Sequence, residues 1–289
     1  FQAEDGIRDC LLSRGLGDVY KRQVANGDEP VVCKELYDFS IDTGFEVVCV
    51  GKGKNNPLDQ KATPDSLKDE ANKKKMNPKM LASFVDGSKT MIEMTALSNG
   101  INLPLDKIGM NGPISEVKDL NKKLIPEEDG GVLSSSGRVD FAFGPAPGVF
   151  SIVKSDSPTV IEEMEYLSMG EGPYYTLYRP YHLASVEAPR SVGMAVINNE
   201  PGLQPKTWIS EVVGHAKKDL EPGENIDGIG GFCSYGVAYP VSDSKGLAPL
   251  GLLEGGTVSK LIKAGDPISL ESVELPENLI NELRKKQKS

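Results

Sequence analysis

Residues that build thiol and metal sites are scarce in this chain. Its 289 residues include four cysteines and two histidines. No Cys-x-x-Cys occurs, and once Cys10 is set aside with the terminal segment described below, Cys33, Cys49 and Cys233 leave an odd number. Neither a disulfide framework nor a zinc centre is predicted from that. No apolar run approaches the roughly 20 residues of a membrane span, and no signal peptide is visible, so the expected location is the cytoplasm. Basic residues are outnumbered too: 32 Lys and Arg against 42 Asp and Glu give a net charge of −10. Such a surface repels nucleic acid and anionic membranes, which leaves a small molecule as the expected partner. No Gly-x-Gly-x-x-Gly follows a first strand, and there is no P-loop.

The first 23 residues, Phe1 to Gln23, show neither helical nor alternating periodicity and resemble translated sequencing adapter. They are excluded from the fold argument. They carry four acidic and four basic residues, so the charge of −10 survives their removal.

What is present centres on Phe45 to Asn56, Phe-Glu-Val-Val-Cys-Val-Gly-Lys-Gly-Lys-Asn-Asn. Phe45 to Val50 is an apolar, β-branched run that suits a parallel strand covered on both faces. Gly51 and Gly53 are expected to break it, turning the backbone at the carboxyl end of the strand, where ligands sit in open α/β sheets. Lys52, Lys54, Asn55 and Asn56 then offer two ammonium groups and two amides to an anionic, oxygen-rich ligand. A solvated polar turn is the competing reading. From Gly51 to Lys79 there are eight Lys and four acidic residues. Lys73 to Lys75 read as a solvated helical face.

Asp28 to Asp42 reads as a helix, with Pro30 in its first turn and Gly44 at its end. Helix, glycine and buried strand form the closing half of a βαβ unit. Asp86 to Gly100 is a second helix, with Asp86 or Ser88 as cap and Gly100 as stop. On it Lys89 precedes Glu93 by four residues. A surface ion pair is the plainer reading, but this is the weaker order for one, which leaves room for charged groups facing a cleft. Further on, a short helix is predicted near Ser115 to Leu124. A strand follows over Val139 to Val153, interrupted by Gly-Pro-Ala-Pro-Gly. Tyr174 to Val186 gives another strand, and a helix-like segment begins near Arg190. Arg179 and His182 stand among tyrosines there, where core packing is the plainer role and a lone histidine is more often structural than a base. Leu220 to Ile226 and Ile262 to Ile268 form an internal repeat: an aliphatic residue, then Gly at the turn, an acid, and Ile. Each copy reads as a strand-turn-strand corner. A short amphipathic helix, basic at its end, is predicted from Pro276 to Ser289.

Several of these stretches carry a resemblance. Gly-Phe-Glu-Val-Val (44–48), Gly-Lys-Gly-Lys-Asn-Asn-Pro (51–57), Ala-Thr-Pro-Asp-Ser-Leu (62–67), Met-Asn-Pro-Lys-Met (76–80), the run from Phe84 to Met94 and that from Gly172 to Leu183 resemble homoserine-dehydrogenase-like oxidoreductases with a carboxy-terminal SAF domain. Within that group the chain is similar to the deoxyxylulose-phosphate-reductoisomerase-like branch. The resemblance covers Val24 to about Lys285.

It implies an α/β fold: a partial Rossmann-type parallel sheet edge and an α/β catalytic domain, followed by a small β-rich, β-clip-like SAF domain. The implied segments are 24–50 as a remnant of the nucleotide-binding domain, 51–190 as the catalytic domain and 191–289 as the SAF-like domain with its terminal helix. The first part of the Rossmann domain is expected upstream of this chain, which on that reading is inert alone. The implied reaction is hydride transfer between NADP or NAD and a carbon of a small anionic hydroxy or keto substrate. Lys52 or Lys54 would neutralise a developing alkoxide or hold an anionic substituent, and Asn55 and Asn56 would hold hydroxyls. Lys89 and Glu93, facing the same crevice, would transfer protons, with Glu93 as base or as ligand if a divalent ion is used. Asn99, Arg179 and His182 complete the implied substrate-binding set, and Gly51 and Gly53 would face the cofactor. The resemblance leaves room for a homo-oligomer. Because SAF modules also occur in sugar-acid dehydratases, sialic-acid synthases and pilus assembly proteins, the alternative is a carbohydrate or sugar-acid binding module without redox activity.

Overall fold

The computed structural model describes residues 24–287; the adapter-like segment and the last two residues of the expected terminal helix lie outside the described residues. In chain order the elements are α1 (Glu29–Asp42), β1 (Glu46–Lys54), α2 (Lys68–Lys74), α3 (Pro78–Val85), α4 (Ser88–Ile101), α5 (Leu120–Lys123), β2 (Arg138–Phe143), β3 (Val149–Lys154), α6 (Pro158–Tyr166), β4 (Tyr174–Arg179), α7 (Ala184–Gly193), β5 (Ser210–Ala216), β6 (Ser234–Pro240), β7 (Thr257–Val258), β8 (Val273–Glu274) and α8 (Leu279–Gln287). This is the mixed α/β class that the sequence implies. Among the described residues no helix is long and apolar enough to cross a membrane.

The chain divides into two units that interleave along the sequence. One holds residues 24–55, Ala96–Asp106 and Met110–Trp208; the other holds Asn56–Thr95, Lys107–Gly109 and residues 209–287. The domain boundary expected after residue 50 falls inside β1, and residues 24–50 share a unit with residues 138–179.

In the first unit a four-stranded sheet has the order β2-β1-β3-β4. β1 is parallel to β2 but antiparallel to β3, so the buried central strand has one parallel neighbour where an all-parallel setting was expected. Its apolar run is continuous because every residue from Val47 to Lys54 is buried. The single interrupted strand expected over Val139 to Val153 is two strands, β2 and β3, which flank β1 on opposite sides. α1 packs on the sheet, where Ser40 and Ser151 meet through their hydroxyls at 3.0 Å and the Cys33 thiol donates to the Gly51 carbonyl at 3.3 Å. A separate apolar cluster joins Val48, Leu120, Leu124, Leu133, Phe150 and Ile152.

The expected break at Gly51 and Gly53 does not occur. Both stay in the ladder, Gly51 opposite Asp140 and Gly53 opposite Ala142. A Cβ at Gly51 would lie 1.7 Å from the Asp140 carbonyl oxygen, and one at Gly53 would lie 2.1 Å from that of Pro145. The glycines therefore permit close approach of neighbouring backbone, the other use of glycine within a strand. Gly100 is similar: it does not stop α4, which runs on to Ile101, and a Cβ there would meet Leu203 at 2.3 Å. At the other end of that helix the Asp86 carboxylate accepts the Ser88 N–H, as the capping argument requires.

In the second unit β5 and β6 pair antiparallel, as do β7 and β8. The two repeat copies pair with each other: Leu220 and Ile262 exchange both backbone hydrogen bonds, and Gly223 and Gly265 occupy matching left-handed turns at φ of 91° and 89°. Neither copy makes regular strands; each is a bridge followed by a turn. Lys217, just beyond β5, is buried and donates to the carbonyls of Ala62 and Gly231 while pairing with Asp86 at 2.8 Å.

His215 in β5 sits between the Gly265 carbonyl at Nδ1 and the Tyr239 hydroxyl at Nε2, each at 2.9 Å. A carbonyl only accepts, so Nδ1 carries the hydrogen and neutral Nε2 accepts from the tyrosine. Burial pushes the imidazole below its usual pKa of 6.5. The neutral form is thus favoured in the folded chain, and stability is lost as pH falls from 6.5 towards the lower folded value. A lower urea midpoint at about pH 5.5 than at about pH 7.5 is expected, with part of that difference removed in His215→Gln.

Candidate functional site

Lys52 and Lys54 alternate on one face of β1, two residues apart, as strand geometry dictates. Both are buried, at 6% and 5% exposure. A buried ammonium needs a countercharge, and for Lys52 it is Glu29, whose Oε1 accepts from Nζ at 2.8 Å. Glu29 is itself buried in the first turn of α1. The same Oε1 lies 3.5 Å from His182 Nε2. His182 Nδ1 faces the Gly27 carbonyl at 3.2 Å, which places the hydrogen on Nδ1.

Gly27 makes this contact feasible. Its φ of +83° is left-handed, and a Cβ there would come within 2.7 Å of the Leu183 carbonyl. The segment after β4 thus lies directly against the turn that opens α1. Asn26 reinforces the contact, its N–H donating to Ser191 Oγ at 2.7 Å and that hydroxyl donating back to Asn26 Oδ1 at 3.1 Å. One carboxylate oxygen therefore accepts from a buried ammonium and lies 3.5 Å from an imidazole nitrogen that pairs with it only when the ring is protonated, the His182 side chain keeping 20% of its exposure. Such an arrangement can hold positive charge beside an oxygen and pass a proton outward.

A second ionic group is built around β4 and α7. Arg179 donates through Nη1 to Glu35 at 2.8 Å and through Nη2 to Glu187 at 2.5 Å, with Tyr181 stacked at 4.8 Å from its guanidinium carbon. Arg190 also pairs with Glu35. Two carboxylates thus anchor the guanidinium expected to bind substrate. Beside Gly51 in the ladder, the buried Asp140 carboxylate accepts from the backbone of Asn111, Gly112 and Phe141 and from Asn111 Nδ2. Burial pushes its pKa up, against the pull of those hydrogen bonds. Its role is to hold the turn at 110–112.

Of the residues singled out from sequence, Lys52 and His182 are brought together through Glu29. Asn99 offers its backbone carbonyl to Lys206 and Thr207, and Asn55 is exposed beyond β1. In the second unit Asn56 is half-buried, and Lys89 and Glu93 form an ion pair along α4, Lys89 also lying 5.2 Å from the Phe84 ring centroid. Glu93 is buried. Sequence reasoning missed Glu29 and the two carboxylates on Arg179. An acid in the first turn before Pro30 is ordinary helix chemistry, so Glu29 gave no signal of its own.

Residues 27–188 match the family described as oxidoreductase DRL, catalytic domain, a span of more than half the chain. No curated protein matches. The matched span contains Glu29, Lys52, Lys54, Lys89, Glu93, Arg179 and His182.

Proposed function

The chain belongs to the DRL oxidoreductase catalytic-domain family, and from that premise we propose that it acts on a small anionic hydroxy or keto substrate with NADP or NAD as redox partner. The observation that carries this reading is the shared carboxylate of Glu29 between Lys52 and His182. The nicotinamide would supply or accept the hydride. Gly51 and Gly53 do not fit a phosphate cradle for it, because the space beside each is filled by the chain's own backbone.

The chain's own residues would handle the substrate oxygen. In this proposal Lys52, held charged and in place by Glu29, stabilises the alkoxide as it develops, in a setting where burial strengthens the interaction. His182, anchored on Gly27 and partly exposed, relays the proton between the Glu29 carboxylate and solvent. Lys54, on the same strand face, and Asn55 and Asn56 are proposed substrate ligands, as are Asn99 and Arg179. Lys89 and Glu93 are proposed as a further proton-transfer pair. A buried carboxylate is also the hard oxygen donor a divalent ion takes, so loss of activity in EDTA would favour Glu93 as a ligand and indifference would leave it as a base. We further propose that the β-rich second unit, with its paired glycine corners, is the SAF-like module.

The test is NADPH oxidation by the protein across small carboxylated and phosphorylated ketones. Turnover with one of them is expected, and His182→Ala should lower kcat/KM by about 10²-fold, within the usual range for a lost general acid or base. Unchanged kcat/KM would remove His182 from the relay.

A further inference from the structure

A cleft of about 350 Å³, within the size range of small-molecule sites, lies between α8 and the β-rich body of the second unit. Pro249, Leu252, Leu270, Leu275 and Pro276 give it an apolar lining. Glu277, Asn281, Glu282 and Lys285 supply its polar side, on α8 or just before it. All of these residues belong to the second unit, and none to the Lys52 group.

Asn281 is the group that calls for a ligand. It is 5% exposed, and its Nδ2 donates to the Pro276 carbonyl at 2.8 Å. A carbonyl only accepts, so the amide cannot be turned over and Oδ1 is fixed as an acceptor. That oxygen is buried and has no hydrogen-bond partner among the described residues. Buried amide oxygens are ordinarily paired, and an unpaired one is costly. The Asn281 backbone N–H, by contrast, is met by Asn278 Oδ1 at 2.9 Å, so the start of the helix is capped and does not itself require an anion.

Oδ1 requires an N–H or O–H donor, and the apolar lining suits a hydrocarbon body beside it. Charge decides between an alcohol and an amine. Arg284 is met by Glu211 and, at 3.1 Å, by Gln287. Glu277, Glu282 and Lys285 form no ion pair among the described residues, which leaves two carboxylates against one ammonium. Acids near a helix start are ordinary and alone indicate no ligand. Beside an orphaned acceptor they favour a donor that carries positive charge, whose hydrogen bond is also the stronger one.

We propose that this cleft binds a small primary amine with an apolar body, its ammonium donating to Asn281 Oδ1 near Glu277 and Glu282 and its hydrocarbon resting on Leu252, Leu270 and Leu275.

Benzylammonium chloride is the probe, followed by amide chemical shifts of the whole chain, with benzyl alcohol, sodium benzoate and methylammonium chloride as comparisons. Saturable shifts at Leu252, Leu270, Asn281 and Glu282 are expected, with a dissociation constant of about 1 mM. Benzyl alcohol should bind more weakly, and benzoate and methylammonium should not saturate the cleft. Asn281→Ala should weaken benzylammonium binding about tenfold, the value of a hydrogen bond to a charged group. Amide shifts away from the cleft report whether that variant keeps its fold. Glu277→Gln combined with Glu282→Gln alters only exposed side chains. It should weaken benzylammonium about three- to fivefold, as loss of exposed charge pairing does, and leave benzyl alcohol unchanged. The proposal is overturned by any of three results: no saturable shift at the cleft, benzoate or methylammonium binding as tightly as benzylammonium, or unchanged benzylammonium affinity in either folded variant.

Discussion

Lys217→Ala is expected to lower unfolding free energy by about 3–5 kcal/mol, the usual cost of removing one partner from a buried ion pair. The ammonium and the Asp86 carboxylate are both buried, and the same ammonium satisfies the carbonyls of Ala62 and Gly231. Truncation would strand a carboxylate and two carbonyls together, and each stranded group carries its own desolvation cost. Lys217→Met should fare little better, because volume is kept but the Asp86 charge is not met. The companion Lys217→Met with Asp86→Leu should recover only the part due to the stranded charge, since the carbonyls of Ala62 and Gly231 and the Ser88 N–H stay without their partners. Urea unfolding of the three variants against the parent chain measures this. Equal stability of Lys217→Ala and parent would show that the pair is not closed from water as the structure has it.

The larger functional effect is expected at Glu29. Glu29→Gln keeps the shape of the side chain but removes the charge that holds Lys52 and the carboxylate base beside His182. On the proposed mechanism the loss has two parts, a weakened electrostatic contact with the alkoxide and a broken proton route. Together they should lower kcat/KM by about 10³-fold, in line with removal of a preorganised charge from a buried site. Substrate binding through Arg179 should persist, because its two carboxylate partners, Glu35 and Glu187, are untouched. The drop should therefore appear mainly in kcat.

Much of the first unit was legible in the sequence because its signals are local. Pro30 near the start and Gly44 past the end marked α1, whose observed span is Glu29–Asp42. The β-branched run marked β1, and the Gly-Pro-Ala-Pro-Gly interruption separated β2 from β3. The repeat around Gly223 and Gly265 was visible as matched residues, although not the mutual pairing of its copies.

What was hidden depends on contacts between distant residues. Glycine in a strand reads the same whether it turns the chain or lets another backbone come close, and at Gly51 the deciding atom is the carbonyl of Asp140. The antiparallel neighbour of β1 comes from about 100 residues further along, beyond any periodicity argument. Lys52 was recognised as a candidate because it is basic, but its countercharge precedes it by 23 residues in a helix start where acids are ordinary. The interleaving of the two units, which switch three times before residue 110, has no compositional mark at all.

That Lys52 and Glu29 act as one unit in turnover is tested most directly by a double-mutant cycle: steady-state kcat/KM for Lys52→Met, Glu29→Gln and the combination. The account expects strong non-additivity, with the double variant no slower than the slower single variant within about threefold. Independent, multiplying losses, or no loss in either single variant, would contradict it.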